Sequence, residues 1–90
     1  MTMACTVRIA SPLRSYTAGA ATLTVRGRTL AEVLGSLERS YPGIRFRMID
    51  EQDRIRPHMR IFIGQTAARD IRLPLADGDE LLIFGALSGG

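Results

Sequence analysis

Few side chains in this 90-residue sequence could carry out chemistry by themselves. The single cysteine, Cys5, occupies an inward position of a predicted strand, where cysteine acts as a small apolar side chain. The single histidine, His58, precedes another predicted strand, a place typical of a surface or capping residue. Asp77 and Asp79 flank Gly78, which is typical of a turn and not of an acid–base pair. One Cys and one His also exclude an internal disulfide and a zinc site built from this chain alone, so we predict no catalytic residue and no bound metal.

The composition predicts one folded domain. Hydrophobic residues make up 46% of the chain and charged residues 23%, which are proportions of globular proteins and argue against disorder. No apolar run approaches the roughly 18 residues of a membrane helix, and the first residues lack the basic and apolar segments of a signal peptide. We therefore expect a cytoplasmic protein without membrane contact, with a single domain over residues 1–86 and a flexible tail over residues 87–90.

The positive charge is carried by arginine alone. The chain has 12 basic and 9 acidic residues, for a formal charge of +3, and all 12 basic residues are Arg. They are spread along the whole chain, without a basic run or an RNA-binding segment that interleaves basic and aromatic residues. Nucleic acid is therefore not an expected partner.

Alternating apolar residues predict strands in both halves of the chain. Residues 4–10 and 20–26 alternate in this way and are separated by a polar stretch, which predicts an antiparallel hairpin. The same pattern predicts strands over residues 59–63 and 80–85. Residues 68–72 could form a short edge strand.

One amphipathic helix is predicted after the hairpin. Thr29 and Glu32 have the spacing of a capping box, in which the hydroxyl and the carboxylate each accept a backbone N–H. Apolar residues then follow at helical spacing from Leu30 to Tyr41. Residues 44–58 predict a short helical turn or an extended segment that packs under the core.

The order of these elements predicts an α+β fold of the β-grasp, or ubiquitin-like, type. A helix that follows a hairpin acts as a crossover and allows a later strand to lie parallel to the first. We therefore expect a mixed sheet of four to five strands with one main helix packed on one face.

The C-terminal third carries two short motifs: a Leu-x-Asp-Gly-Asp-x-Leu turn over residues 75–81 enters the last predicted strand, and Gly89-Gly90 are the last two residues. In these motifs the chain resembles the ThiS/MoaD family of ubiquitin-like sulfur-carrier proteins. The predicted hairpin and capped helix are compatible with the family, so the resemblance covers nearly the whole chain. Its length and the long segment after the helix look more like MoaD-type and cysteine-synthesis carriers than like the shorter ThiS type.

The resemblance implies a carrier that is a substrate and not an enzyme. In this family an E1-like adenylyltransferase uses ATP and magnesium to adenylate the terminal carboxylate, and a persulfide or sulfide source replaces AMP with sulfur. The resulting thiocarboxylate supplies an acceptor biosynthetic enzyme that makes molybdopterin, thiamine, cysteine or another thio-metabolite. The resemblance assigns the reacting carboxylate to Gly90, clearance in the partner's cleft to Gly89, and orientation of the tail to Leu87 and Ser88. The chain itself would bind no cofactor.

Strand alternation also predicts a surface for these partners. Phe62, Leu82 and Phe84 should face away from the helix and form an exposed apolar patch, with Arg60 at its rim. We expect this patch to bind the activating enzyme, and the acceptor enzyme could use the same surface. The alternative is that residues 44–58 or a second copy of the chain covers it.

Two other functions are compatible with the sequence. A β-grasp protein that ends in Gly-Gly could be a modifier conjugated through Gly90 to lysines of other proteins, and a non-carrier binding module, such as an RNA-binding domain, would not depend on Gly90. The absence of lysine matters whether Gly90 is activated as a sulfur carrier or as a protein modifier. An activated Gly90 would find no ε-amine on its own chain, which leaves the α-amine and Cys5 as acyl acceptors.

Overall fold

The predicted strands and helix form one mixed sheet with helices on one side. The structure is a computed structural model, and it describes residues 4–10 and 13–85. Its elements, in chain order, are β1 (Ala4–Ile9), β2 (Thr22–Arg26), α1 (Leu30–Ser40), α2 (Ile44–Met48), β3 (Met59–Ile63), β4 (Thr66–Ala67) and β5 (Glu80–Gly85). The arrangement confirms the predicted β-grasp fold.

The five strands lie in the order β2-β1-β5-β3-β4. β1 is antiparallel to β2, with Cys5 opposite Val25, and parallel to β5, with Val7 opposite Leu81. β5 is in turn antiparallel to β3 and β3 to β4. The crossover through the helices thus places the last strand beside the first, in the centre of the sheet.

The capping box begins α1 as predicted. The Thr29 hydroxyl accepts the backbone N–H of Glu32 at 3.2 Å, and the Glu32 carboxylate accepts the N–H of Arg28 at 2.9 Å. These bonds satisfy backbone donors that have no partner within the helix. The helix buries its apolar stripe against the sheet through Leu30, Val33, Leu34 and Leu37.

The segment after α1 contains a second, shorter helix. In α2, Ile44 and Met48 are fully buried because residues four positions apart share one helix face, whereas Phe46 is 60% exposed. The Glu38 carboxylate accepts the backbone N–H groups of Gly43 and Arg45 at 2.9 and 3.0 Å, and these bonds lower its pKa. Across residues 4–10 and 13–85, neither helix has the length and apolar character needed to span a bilayer.

The short edge strand lies earlier than the sequence predicted. It is formed by Thr66–Ala67, and residues 68–72 are not a strand. Gly64, with a φ of 61°, turns the chain directly after β3, so that pairing begins at once. Asp70 then accepts hydrogen bonds from the backbone and side chain of Arg72, which closes a local turn and lowers the pKa of Asp70 to about 2.

Candidate functional site

The face of the sheet opposite the helices is apolar at its centre. In β5, Leu81 and Ile83 are fully buried beneath the helices, while Leu82 is 41% exposed and Phe84 is half-buried on the other side. This distribution follows from the period-two alternation of a strand. The predicted orientation of the strand is confirmed.

Pairing between β5 and β3 brings the four predicted patch residues together. Phe62 lies opposite Leu82, and Arg60 lies opposite Phe84. The two phenyl rings are stacked, with centroids 5.8 Å apart and planes inclined by 16°. We call the surface formed by Arg60, Phe62, Leu82 and Phe84 the open-face patch. Residues 44–58 do not cover it, because Leu82 remains 41% exposed.

Two arginines lie at the border of the open-face patch. Arg60, opposite Phe84 in the strand register, donates from Nη1 to the carbonyls of Pro57 and Met59 at 2.7 and 2.9 Å, which holds its guanidinium against the start of β3. Arg8 lies beside Leu82 in the parallel β1–β5 register and is paired with Glu80, Nε to Oε1, at 2.9 Å. Arg8 was not among the predicted patch residues. The alternation in β1 predicts that Arg8 points outward, but only the strand order shows that it lies beside Leu82.

The predicted reactive tail, formed by Leu87, Ser88, Gly89 and Gly90, lies outside the described residues. The last described residue is Gly85, which pairs with Met59 at the end of β5. The chain thus enters the tail directly from the strand that carries Leu82 and Phe84.

Cys5 and His58, which the sequence predicts to be non-catalytic, differ in their exposure. The Cys5 thiol is buried and directed at the Val25 carbonyl at 3.5 Å, and burial, together with the charge of Asp79, raises its pKa. His58 is exposed. Among residues 4–10 and 13–85, no cluster of three or more His, Cys, Asp or Glu residues is arranged to hold a metal ion.

The two aspartates of the Asp-Gly-Asp sequence stabilise the entrance to β5. Asp79 accepts the backbone N–H of Ala76 at 2.8 Å within the turn, as predicted. Asp77 instead reaches β1 and accepts the N–H of Ala4 at 3.0 Å. Gly78 has a φ of 88° and donates to the Ala4 carbonyl at 2.9 Å. The turn therefore joins the first and last strands.

Comparison with known proteins agrees with this architecture. The sequence matches the ThiS family over residues 7–90. The chain belongs to the ThiS family. It is 32% identical to the sulfur carrier protein CysO of Mycobacterium tuberculosis over 90 residues, which cover 94% of this chain and 97% of CysO.

Solved structures share the fold over nearly their whole length. A chain of the Amycolatopsis orientalis BexX/CysO complex superposes with a TM-score of 0.88 at 26% identity, covering 96% of this chain and 99% of that one. The small archaeal modifier protein 1 (SAMP1) of Methanosarcina acetivorans superposes with a TM-score of 0.82 at 25% identity, covering 100% and 99%. Carriers and a modifier thus share this fold.

Proposed function

We propose that this protein is a sulfur carrier whose Gly90 carboxylate is adenylated by an E1-like enzyme and converted to a thiocarboxylate. The observation that carries the proposal is the ThiS match, which extends through residue 90. The similarity to CysO over 94% of the chain supports the same role. The protein would act in the cytoplasm as the substrate of its partners and not as an enzyme.

The proposed chemistry uses the partner's ATP and Mg²⁺. A Gly90 carboxylate oxygen attacks the α-phosphorus of ATP, which releases pyrophosphate and forms a mixed anhydride with AMP. Sulfide then attacks the acyl carbon, and AMP leaves with the C–O bond electrons to give the thiocarboxylate. Where the source is a persulfide, the same attack gives an acyl disulfide, and a second thiol of the sulfur donor cleaves its S–S bond, which releases the thiocarboxylate and leaves a disulfide on the donor. Gly89 and Gly90 have no Cβ atoms, so this segment would enter a narrow catalytic cleft without steric hindrance.

The position of the open-face patch supports its role in docking. Five residues follow Gly85, and an extended chain of five residues spans at most about 18 Å. An enzyme that binds Phe84 and Leu82 would therefore hold the Gly90 carboxylate within that distance of the contact. Aromatic and arginine side chains, here the half-buried Phe62 and Phe84 and the exposed Arg60, are also enriched at protein interfaces.

Intact-mass measurement tests the reaction directly. The protein is incubated with ATP, Mg²⁺, sulfide and the E1-like enzyme of the same genome, and we expect the mass gain of one oxygen-to-sulfur exchange. A variant lacking Gly89 and Gly90 serves as the matched control and should remain unchanged. No exchange in the full chain under conditions in which the enzyme adenylates another carrier would contradict the proposal.

A biosynthetic enzyme is the proposed acceptor of the sulfur. In the Amycolatopsis orientalis structure CysO forms a complex with BexX, which supports a comparable partner enzyme for this chain. Molybdopterin, thiamine, cysteine and other thio-metabolite pathways remain open as destinations. Adding each candidate acceptor enzyme to the thiocarboxylate form should restore the original mass only when the acceptor is the correct one.

The similarity to SAMP1 favours protein modification as a second candidate function. In that case Gly90 would form amide bonds with lysines of other proteins. Incubation of the tagged protein with cell lysate, ATP and the E1-like enzyme should then give adducts of higher mass that resist thiols and hydroxylamine. Because this chain contains no lysine, copies of it could not be linked to one another through side-chain amines.

A further inference from the structure

Backbone groups along the β2 edge of the sheet have no hydrogen-bond partner among the described residues. The N–H of Ile9 donates to the Ala21 carbonyl at 2.8 Å, and Cys5 pairs with Val25, so the odd-numbered residues of this segment bond to β1. The N–H and C=O groups of Thr22 and Thr24 therefore point away from the sheet. Within residues 4–10 and 13–85, no protein group forms a hydrogen bond with them.

A groove of about 360 Å³ runs between this edge and α1. Its apolar surface comes from Leu23, which is half-buried, Leu37, which is buried, and Tyr41, which is half-buried. The complete lining consists of Leu23, Thr24, Val25, Arg26, Ser36, Leu37, Arg39, Ser40 and Tyr41. We call this surface the β2–α1 groove.

One end of the β2–α1 groove is positively charged. Arg26 and Arg39 are both exposed there, and none of the described residues that line the groove is acidic. The Ser36 hydroxyl donates to the Arg26 carbonyl at 3.1 Å, and Arg39 donates from Nη2 to the Ser36 hydroxyl at 3.0 Å. Through Ser36, these two hydrogen bonds link Arg39 of α1 to the outward carbonyl of Arg26 in β2. That carbonyl therefore already has a hydrogen-bond partner.

We propose that the β2–α1 groove binds an extended, acidic peptide segment of a partner protein as a sixth strand. Thr22 and Thr24 each offer one donor and one acceptor to the main chain of such a segment. Alternate apolar side chains of the peptide pack against Leu23 and Leu37, because side chains of a strand alternate between faces. An acidic residue at the end of the segment pairs with Arg26 and Arg39.

This binding surface is distinct from the open-face patch. β1 separates β2 from β5 in the sheet, and the groove lies on the helix side while the patch lies on the opposite face. Binding at one surface therefore leaves the other accessible. The proposal is independent of the sulfur-carrier function, because no residue of the tail or patch takes part in it.

A synthetic peptide provides the first test. The probe is an acetylated and amidated peptide, Asp-Thr-Ile-Thr-Ile-Thr-Asp, titrated into ¹⁵N-labelled full-length protein. We expect saturable shifts of the Thr22, Leu23 and Thr24 amide resonances. A probe N-methylated at its three threonines and two isoleucines should bind at least about tenfold more weakly, because it lacks the pairing N–H groups whether it lies parallel or antiparallel to β2. A probe with Arg in place of both Asp residues should also bind more weakly.

Two variants separate main-chain pairing from charge. Thr24→Pro removes an outward N–H that the protein's own sheet does not use, and edge strands tolerate proline at such positions, so binding should be lost while the fold is retained. Arg26→Glu should lower the affinity for the Asp-flanked probe and raise the affinity for the Arg-flanked probe. Arg69→Glu makes the same charge change at an exposed site away from the groove and should leave both affinities unchanged.

Several results would overturn the proposal. Shifts that map to Phe62 and Leu82 would assign the peptide to the open-face patch. Equal affinity of the N-methylated probe would exclude strand addition, and a lack of saturation at millimolar peptide would exclude a specific site. Sedimentation that shows a dimer abolished by Thr24→Pro, without peptide binding, would assign the edge to a second copy of the chain. If Thr24→Pro does not fold, the Arg26→Glu charge reversal decides.

Discussion

Leu81 and Leu82 are adjacent residues of the same type that differ sharply in solvent exposure. Leu81 is completely buried beneath the helices, whereas Leu82 is 41% exposed on the other face of the sheet. The same contrast extends along β5 to Ile83 and Phe84. Burial of side chains on the helix-covered face supplies most of the hydrophobic stabilisation of the fold. Leu82 stays 41% exposed on the other face, so it contributes little to that stabilisation. The apolar character of the open face therefore points to recognition.

The open face also differs in how its apolar groups are arranged. Antiparallel and mixed sheets that expose one face usually place polar side chains on it. Here Phe62 and Phe84 stack on each other, which shields part of each ring and fixes the geometry of the pair. A preformed aromatic surface loses little side-chain entropy when a partner binds. Four predictions test this contrast between the faces.

The largest effect is expected for truncation on the helix-covered face. Leu81→Ala should lower the free energy of unfolding by about 2–5 kcal/mol because it leaves a cavity in the core. Leu82→Ala, the matched control one residue away, should change it by less than about 1 kcal/mol. Urea unfolding followed by circular dichroism measures both. Equal losses would mean that the two faces do not differ as the structure indicates.

The second-largest effect is expected in the alkylation rates of cysteines placed on the two faces. Cys5 is buried and its pKa is raised by burial, so the thiolate is both scarce and inaccessible. We expect iodoacetamide to alkylate it at least about 100-fold more slowly in the folded protein than in urea, since reaction requires opening of the structure. Leu82→Cys in a Cys5→Ser background should react at once on the open face. A fast reaction of native Cys5 would contradict the described burial.

Recognition should depend on the open face alone. Phe84→Ser should weaken binding of the activating enzyme by about tenfold or more, because buried aromatic contacts dominate interface energies. Phe46→Ser removes the exposed phenyl ring of α2 and should leave binding of the activating enzyme unchanged. Surface plasmon resonance with the immobilised enzyme measures both, and retained thermal unfolding shows that the variants fold. Equal losses for the two variants would remove the patch from the docking proposal.

The smallest effect is expected for the charge pair beside the patch. Arg8 and Glu80 are 63% and 58% exposed, so solvent screens their attraction. Arg8→Gln should change the free energy of unfolding by less than about 1 kcal/mol in urea titrations. The same variant should weaken enzyme binding more at low salt than at high salt if Arg8 contributes charge to the interface. A larger loss of stability would give this pair a structural role.

Long regular patterns were predictable from the sequence, and short or non-local features were not. The capped helix and the strands Met59–Ile63 and Glu80–Gly85 were predicted because each repeats its pattern over several residues. In contrast, α2 has only five residues, and its Ile44, Phe46 and Met48 fit both an alternating strand and a short helix. Tertiary packing decides between them: a strand would place Phe46 on the same face as Ile44 and Met48, whereas the helix buries Ile44 and Met48 and leaves Phe46 60% exposed.

The candidate sites show the same limit. Phe62, Leu82 and Phe84 were predicted to share a face because alternation is local, but the 5.8 Å stack depends on the β3–β5 register. The neighbours Arg8 and Leu82 are 74 positions apart, and only the strand order joins them. The two-residue β4 has no pattern long enough to predict its bounds.

The parallel pairing of β1 and β5 has a mechanical consequence. Thr6 lies opposite Glu80 and Ile9 opposite Ile83, so Ala4 and Gly85 lie towards opposite ends of the same pair of strands. A force that separates these two positions slides the strands along each other and loads their hydrogen bonds together. If the proposed activating enzyme draws the tail into its cleft, the pull acts along β5, and sliding β5 past β1 would require their hydrogen bonds to break together.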